Sequence, residues 1–201
     1  MGYFPFFIDI KGKRCLVVGG GTVALRKIEK LLPFEPDITV VSPRISEEIR
    51  RIEGITLIER AFLPADISGC FFVIGATDSE ETNAEIYRLC TERNILVNVV
   101  DDREKCGFIF PALVKKGDVS IGISSSGSSP VFSRYIKERI DEMLSDGELS
   151  RQRILAESRE KVKRGLNTEQ ERKRALEEIL RLSESGAEVD IDRVICEVSE
   201  K

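Results

Sequence analysis

The sequence predicts an α/β protein in which a doubly wound parallel sheet is followed by a small α+β segment and a charged helical region. Three observations predict it. Short apolar runs recur between helix-patterned stretches, which is how strands buried on both faces read. The first of these runs breaks on three consecutive glycines, Gly19-Gly20-Gly21, and resumes as an amphipathic helix. After residue 145 the apolar runs stop, and charged, helix-periodic sequence takes over.

Each element has its own reason. Tyr3 to Ile10 is apolar and aromatic and reads as an edge strand or an arm packed beside the first strand. Arg14 to Val18 is the first strand. Val23 to Leu32 is the first helix, with Ala24, Ile28, Leu31 and Leu32 towards the sheet, and Pro33 and Pro36 end it. Ile38 to Val41 is the second strand. Ser46 to Ile52 reads as a helix, Ile55 to Ile58 as a short strand, and Phe62 to Ile67 as a turn or short helix. Phe71 to Ala76 and Leu96 to Val100 are buried strands on either side of a helix over Glu80 to Arg93. This alternation reads as a parallel sheet wound on both faces.

Phe108 to Val114 then leads into a hairpin-like turn at Lys115-Lys116-Gly117-Asp118, and Val119 to Ser124 alternates like a half-buried strand. Pairing with a second chain is one way to cover the edge or face this leaves. A helix follows over Val131 to Leu144, with Ser129 as its cap and Pro130 at its first position. Leu149 to Arg164 is helical. Thr168-x-x-Glu171 is a capping box that starts another helix, with an apolar stripe of Leu176, Ile179 and Leu180. Asp190 caps a last one, with Ile191, Val194, Ile195 and Val198 on one face. The domain boundaries expected are 1–112, 113–145 and 146–201.

Composition narrows the function. A content of 41% hydrophobic and 33% charged residues suits a soluble globular protein, and a net charge of −4 argues against nucleic acid as a partner. No long apolar run predicts a secretory signal or a membrane span. The five cysteines, at 15, 70, 90, 106 and 196, form no C-x-x-C pair and read as reduced thiols of a cytoplasmic protein, a redox or metal role being the alternative. Histidine is absent. A histidine triad and a histidine metal site are thereby excluded, no metal ligand is assigned, and proton transfer falls to carboxylate, lysine, tyrosine, cysteine or water.

Gly19-x-Gly21-x-x-Ala24 fits the dinucleotide fingerprint G-x-G-x-x-G/A of a Rossmann-like domain. Gly19 permits the turn, Gly21 lets a pyrophosphate approach the backbone, and Ala24 lets the helix pack against the strand. Thr22 and Val23 offer N–H groups at the positive end of the helix. The second strand ends in Ser42-Pro43-Arg44, where the NAD pattern has an acidic residue for the ribose. Backbone groups of Pro43 and Arg44 are substitutes, and Arg44 is either an exposed residue at a helix start or a partner for a 2′-phosphate. Ligands of such sheets lie beyond the carboxyl ends of the strands, which gathers Gly19–Val23, Ser42–Arg44, Thr77–Asp78 and Asp101 around one crevice. The run Ser124-Ser125-Ser126-Gly127-Ser128-Ser129 before a helix reads equally as an anion-binding concavity or a flexible linker.

Val17 to Lys27, Val40-Val41-Ser42-Pro43, Ala76-Thr77-Asp78 with Asn83, Asn98-Val99-Val100-Asp101, Phe108 to Pro111 and Ser124 to Pro130 together resemble, in order, the dehydrogenase module of the siroheme synthase family. The resemblance covers roughly residues 1–145 in motif detail and the helical tail in kind. It implies precorrin-2 dehydrogenase activity, oxidising precorrin-2 to sirohydrochlorin with NAD⁺, and in some members insertion of Fe²⁺ into sirohydrochlorin at the same site. It implies the stand-alone form, without the methyltransferase module that makes precorrin-2, and a homodimer. It makes Asp101 the catalytic base. Asp102 is a neighbour that position alone does not separate from it. The resemblance also implies cofactor contacts at Gly19, Gly21, Thr22, Val23, Ser42, Pro43, Arg44 and Thr77, and tetrapyrrole contacts at Asn98, Ser124, Ser125, Ser126, Gly127 and Ser128. Ser125 matches a serine phosphorylated in fused members, where a phosphate would repel a polyanionic substrate. The alternative from another class is a non-catalytic NAD(H)-sensing regulatory module, which needs the glycine loop but neither Asp101 nor the serines.

Overall fold

The computed structural model describes residues 4–100, 102, 104–185 and 189–199. They form two bodies: the residues up to Leu113 together with Ser126–Ser128, and Val114–Ser125 together with the residues from Ser129 onward.

The first body is built on five parallel strands: β1 Arg14–Val18, β2 Asp37–Val41, β3 Thr56–Ile58, β4 Phe72–Gly75 and β5 Leu96–Val99. Their order across the sheet is β3-β2-β1-β4-β5. The winding reverses between β1 and β4, the switch point at which such sheets bind ligands. Alternation along the strands divides the core in two. Cys15, Val17, Ile38, Val40, Phe72 and Ile74 face α1 (Thr22–Leu31) and α2 (Glu47–Arg50), meeting Ala24, Ile28, Leu31, Ile45 and Ile49. Leu16, Val18, Val41, Val73, Val97 and Val99 face the other way, onto Ile86, Leu89 and Cys90 of α3 (Glu80–Glu92). Ile28, Ile49, Ile74 and Ile86 are completely buried, each worth about 2–3 kcal/mol. That burial, with the cap from Ser46 Oγ to the Ile49 N–H, holds an α2 too short to persist alone.

The parallel, doubly wound sheet is as the sequence predicts, and each strand falls within two residues of its expected limits. Three local expectations are corrected. Residues 4–10 form no strand, and Phe4, Phe6, Phe7 and Ile8 are exposed; only Ile10 packs on the core. Leu32 faces solvent, because α1 ends at Leu31 and the chain tightens into a 3-10 turn over Leu32–Phe34. In the helical body the stripe that turns inward carries Ala175 and Ile179, whereas Leu180 is 39% exposed.

The second body holds a two-stranded sheet, β6 Ala112–Lys116 and β7 Val119–Ile123, joined by the pair Gly117-Asp118, a connection that only antiparallel neighbours can use. Residue 112 and Leu113 of β6 belong to the first body. Then come α4 Pro130–Met143, α5 Asp146–Gly165, α6 Glu169–Glu184 and α7 Ile191–Ser199. Val162, Leu166, Ala175, Ile179 and Val194 form the core of the last three. The capping box is present: Thr168 Oγ1 accepts the Glu171 N–H at 3.2 Å, and Glu171 Oε2 accepts the Thr168 N–H at 2.9 Å. No helix of the described residues is long and apolar enough to cross a membrane.

Asp66 gives the first body a measurable acid sensitivity. Its carboxylate takes two hydrogen bonds from Arg60, at 2.6 and 2.8 Å, and one from the Leu63 N–H at 2.8 Å. The Arg60 fork holds its pKa below the ordinary carboxylate value. A depressed folded-state pKa contributes stability above the unfolded value and loses it as pH falls through the folded one. Asp66→Asn is therefore expected to cost about 1 kcal/mol at neutral pH, the size of one cap, and nothing at an acid pH below the lowered carboxylate pKa. Urea melts of both proteins at the two pH values check this.

Candidate functional site

The glycine turn owes its sequence to three different neighbours. At Gly19 the backbone has φ +126°, in the region that favours glycine. Its N–H donates to Val41 O at 2.9 Å, and a Cβ there would stand 2.1 Å from Ala76 O. At Gly20 a Cβ would stand 2.1 Å from Arg44 O, and Gly20 O accepts the Ser46 N–H at 2.9 Å. At Gly21 a Cβ would meet nothing within 4 Å. Gly21 is the N-cap of α1, with no side-chain cap and no acidic residue in the first turn. Two glycines thus admit the ends of β4 and β2, and the third faces open space before an uncapped helix start. Thr22 and Val23 are exposed there, while Ala24 is completely buried under α1. This cradle fits a pyrophosphate, which needs close backbone approach and N–H donors. The dinucleotide fingerprint gives Gly20 no role; the run of three glycines is the sequence signal for it.

Beside that turn, Ser42 is buried and its hydroxyl donates to Arg44 O at 2.7 Å, while its N–H donates to Ile58 O at 3.2 Å. The side chain thereby shapes the turn itself. Pro43 and Arg44 are exposed. Beyond β4, Thr77 is clamped by Asn83 of α3: Asn83 Oδ1 lies 2.9 Å from Thr77 Oγ1, and Asn83 Nδ2 donates to Thr77 O at 2.9 Å. This fixes the strand-to-helix loop at the third strand end.

At β5, Asn98 is buried, and its Nδ2 donates to Phe108 O at 2.9 Å and to Cys106 Sγ at 3.3 Å. Its Oδ1 is buried with no hydrogen-bond partner among the described residues. Such an orphan acceptor costs about 1–3 kcal/mol unless something else supplies a donor. Asp101 lies outside the described residues. Asp102 is committed locally: Oδ2 meets Lys105 Nζ at 2.6 Å, and Oδ1 accepts the N–H groups of Glu104 and Lys105 at 3.1 and 3.2 Å. The Lys105 hydrogen bond holds the Asp102 pKa below the usual carboxylate value. Cys106 Sγ lies 3.2 Å from Val99 O and 3.1 Å from Asp102 O, and burial pushes its thiol pKa up.

The serine run is an ordered turn. Ser125 Oγ accepts the Ser129 N–H at 3.0 Å, Ser126 and Gly127 have φ +53° and +78°, and Ser129 Oγ caps α4 at the Phe132 N–H, 3.3 Å away. Ser124, Gly127 and Ser128 are exposed. Ser126–Ser128 belong to the first body, and Ser124, Ser125 and Ser129 to the second. Among the described residues no group of histidine, cysteine, aspartate or glutamate side chains is arranged to hold a metal ion.

Comparison with known proteins agrees with this geometry. Residues 6–112 match the family described as "Putative NAD(P)-binding", and residues 116–143 match "Sirohaem biosynthesis protein central". The siroheme synthase of Thioalkalivibrio sulfidiphilus is 43% identical over 147 residues, covering 72% of this chain and 30% of that protein. The siroheme synthase of Mannheimia succiniciproducens is 34% identical over 182 residues, covering 89% and 38%. The chain thus spans about a third of the length of these curated relatives. Among solved structures, "SirC, precorrin-2 dehydrogenase" superposes with a TM-score of 0.78 at 26% identity, over 99% of this chain and 100% of that one.

Proposed function

The chain belongs to the siroheme synthase family, as the counterpart of its N-terminal module, and on that premise we propose that it is a precorrin-2 dehydrogenase, oxidising precorrin-2 to sirohydrochlorin. The observation that carries this reading is the end-to-end likeness to the SirC structure. The cofactor is NAD⁺, which when bound supplies the hydride acceptor.

The chain's own residues bind, orient and move a proton. The N–H groups at Gly21, Thr22 and Val23 receive the pyrophosphate, and Gly19 keeps the turn close against the strand ends. Backbone groups of Ser42, Pro43 and Arg44 serve the adenosine ribose, and the clamped Thr77 loop borders the glycine turn from the β4 side. Asp101 takes the proton lost from the macrocycle. In support, its neighbour Asp102 is already engaged by Lys105 and the loop N–H groups. Asn98, whose Oδ1 meets no donor among the described residues, contributes that oxygen as an acceptor for a substrate N–H. Ser124, Ser125, Ser126, Gly127 and Ser128 receive carboxylates of the tetrapyrrole, which hydroxyl and backbone donors suit.

Fe²⁺ enters as a second substrate, inserted into sirohydrochlorin by the same Asp101. The chain is a homodimer, with a second copy covering Val131, Phe132, Tyr135 and Met143, which α4 leaves exposed. The location is cytoplasmic, which its five free thiols suit.

Mixing the protein with precorrin-2 and NAD⁺ should give sirohydrochlorin and NADH in equal amounts. Folded protein that binds NADH yet turns nothing over would make it the sensing module instead. Cobalt insertion into sirohydrochlorin tests the chelatase step, and sedimentation equilibrium tests the dimer, which Phe132→Glu should split.

A further inference from the structure

The end of β2 is where this fold sets its choice between dinucleotides. A carboxylate at that position hydrogen-bonds the ribose 2′-hydroxyl and repels a phosphate there; an arginine nearby accepts the phosphate. Here the position holds Ser42, buried, with its hydroxyl spent on Arg44 O. Nearby carboxylates are engaged elsewhere. Glu47 lies 3.7 Å from Arg50 Nε, Glu48 turns back onto Ser46, and Glu59 takes both arms of the Arg50 guanidinium at 2.5 Å. Arg44 differs from all of these. It is exposed, and among the described residues no carboxylate pairs with it. Its position is also fixed, because its carbonyl oxygen lies where a Cβ on Gly20 would come within 2.1 Å, and the Ser46 N–H two residues on donates to Gly20 O. The guanidinium is therefore tethered within one side chain's length of the pyrophosphate turn.

We propose that Arg44 is the specificity-determining residue of the cofactor site, that it receives the 2′-phosphate of NADP⁺, and that the chain binds NADP(H) about as well as NAD(H). The strand end itself, Ser42-Pro43-Arg44, sets no carboxylate against the phosphate, and a guanidinium meets it with charge-assisted, two-pronged hydrogen bonds. The unphosphorylated ribose keeps the backbone groups of residues 42–44. The inference rests on the dinucleotide reading above and deepens it.

Titration of the full chain with NADH and with NADPH, followed by nicotinamide fluorescence, tests it without substrate. The NADPH dissociation constant is expected within about tenfold of that for NADH, and Arg44→Ala should raise the ratio of the two by at least about threefold, with Arg44→Glu raising it further. A wild-type preference for NADH beyond tenfold, or a ratio that Arg44→Ala leaves within threefold, overturns the proposal. If NADH binds and NADPH does not, this inference alone fails. If neither binds, the dinucleotide reading fails with it.

Discussion

Gly19→Ala is expected to cost the protein about 3–5 kcal/mol, enough to leave a domain of ordinary stability partly unfolded. Two penalties combine. At φ +126° an L side chain is strained by about 1–3 kcal/mol before it touches anything. Its Cβ would then stand 2.1 Å from Ala76 O and 2.6 Å from Ala76 C, and these are backbone atoms. They cannot step aside alone, because the Ala76 N–H donates to Val18 O at 2.8 Å and Gly19 itself is tied to Val41 O. Relief means parting the ends of β1, β2 and β4 together. Gly21→Ala is the informative companion. With φ −95° and open space around its Cβ, it should lose at most about 1 kcal/mol, the difference between glycine and alanine at an N-cap. Its methyl group would nevertheless fill the space assigned to the pyrophosphate, so NADH affinity should fall at least about tenfold, or about 1.4 kcal/mol. Urea denaturation beside NADH titration separates the two glycines. Equal stability losses would mean that Gly21 serves packing and not a ligand.

The contrast between those glycines also marks how far the sequence could be read. Strands were legible because a strand buried on both sides is a short apolar run, and Cys15-Leu16-Val17-Val18 divides cleanly between two cores. Two helix starts were legible because Ser129 and Thr168 cap locally, within three residues of their partners. What escaped is non-local. The reason for Gly20 lies at Arg44, far along the chain, and the orphan oxygen of Asn98 depends on how residues 106–108 return past β5. Residues 4–10 misled because exposed aromatics have the composition of a strand, whereas a strand also needs an edge to pair with. Leu180 misled because a helical stripe has two flanks, and the neighbours of α6 decide which turns inward.

Asp101→Asn should lower kcat by at least about a hundredfold, some 2.7 kcal/mol, the ordinary worth of a positioned base. Asp102→Asn should lower it by less than about tenfold. The physical ground is the state of Asp102. A general base works best when its pKa lies near the working pH. The Lys105 hydrogen bond moves Asp102 the other way, below the usual carboxylate range, so it stays ionised and weakly basic throughout the neutral region. Its remaining oxygen is taken by two backbone N–H groups, which makes it the brace of the loop. Loss of that brace should appear as a changed KM, because the loop returns to Cys106 and Asn98 beside the expected substrate contacts. Single-turnover measurement of NADH formation by both variants decides between the two carboxylates. If Asp102→Asn proved the more damaging to kcat, the proton acceptor would be Asp102, and the Lys105 contact would have to open whenever substrate binds.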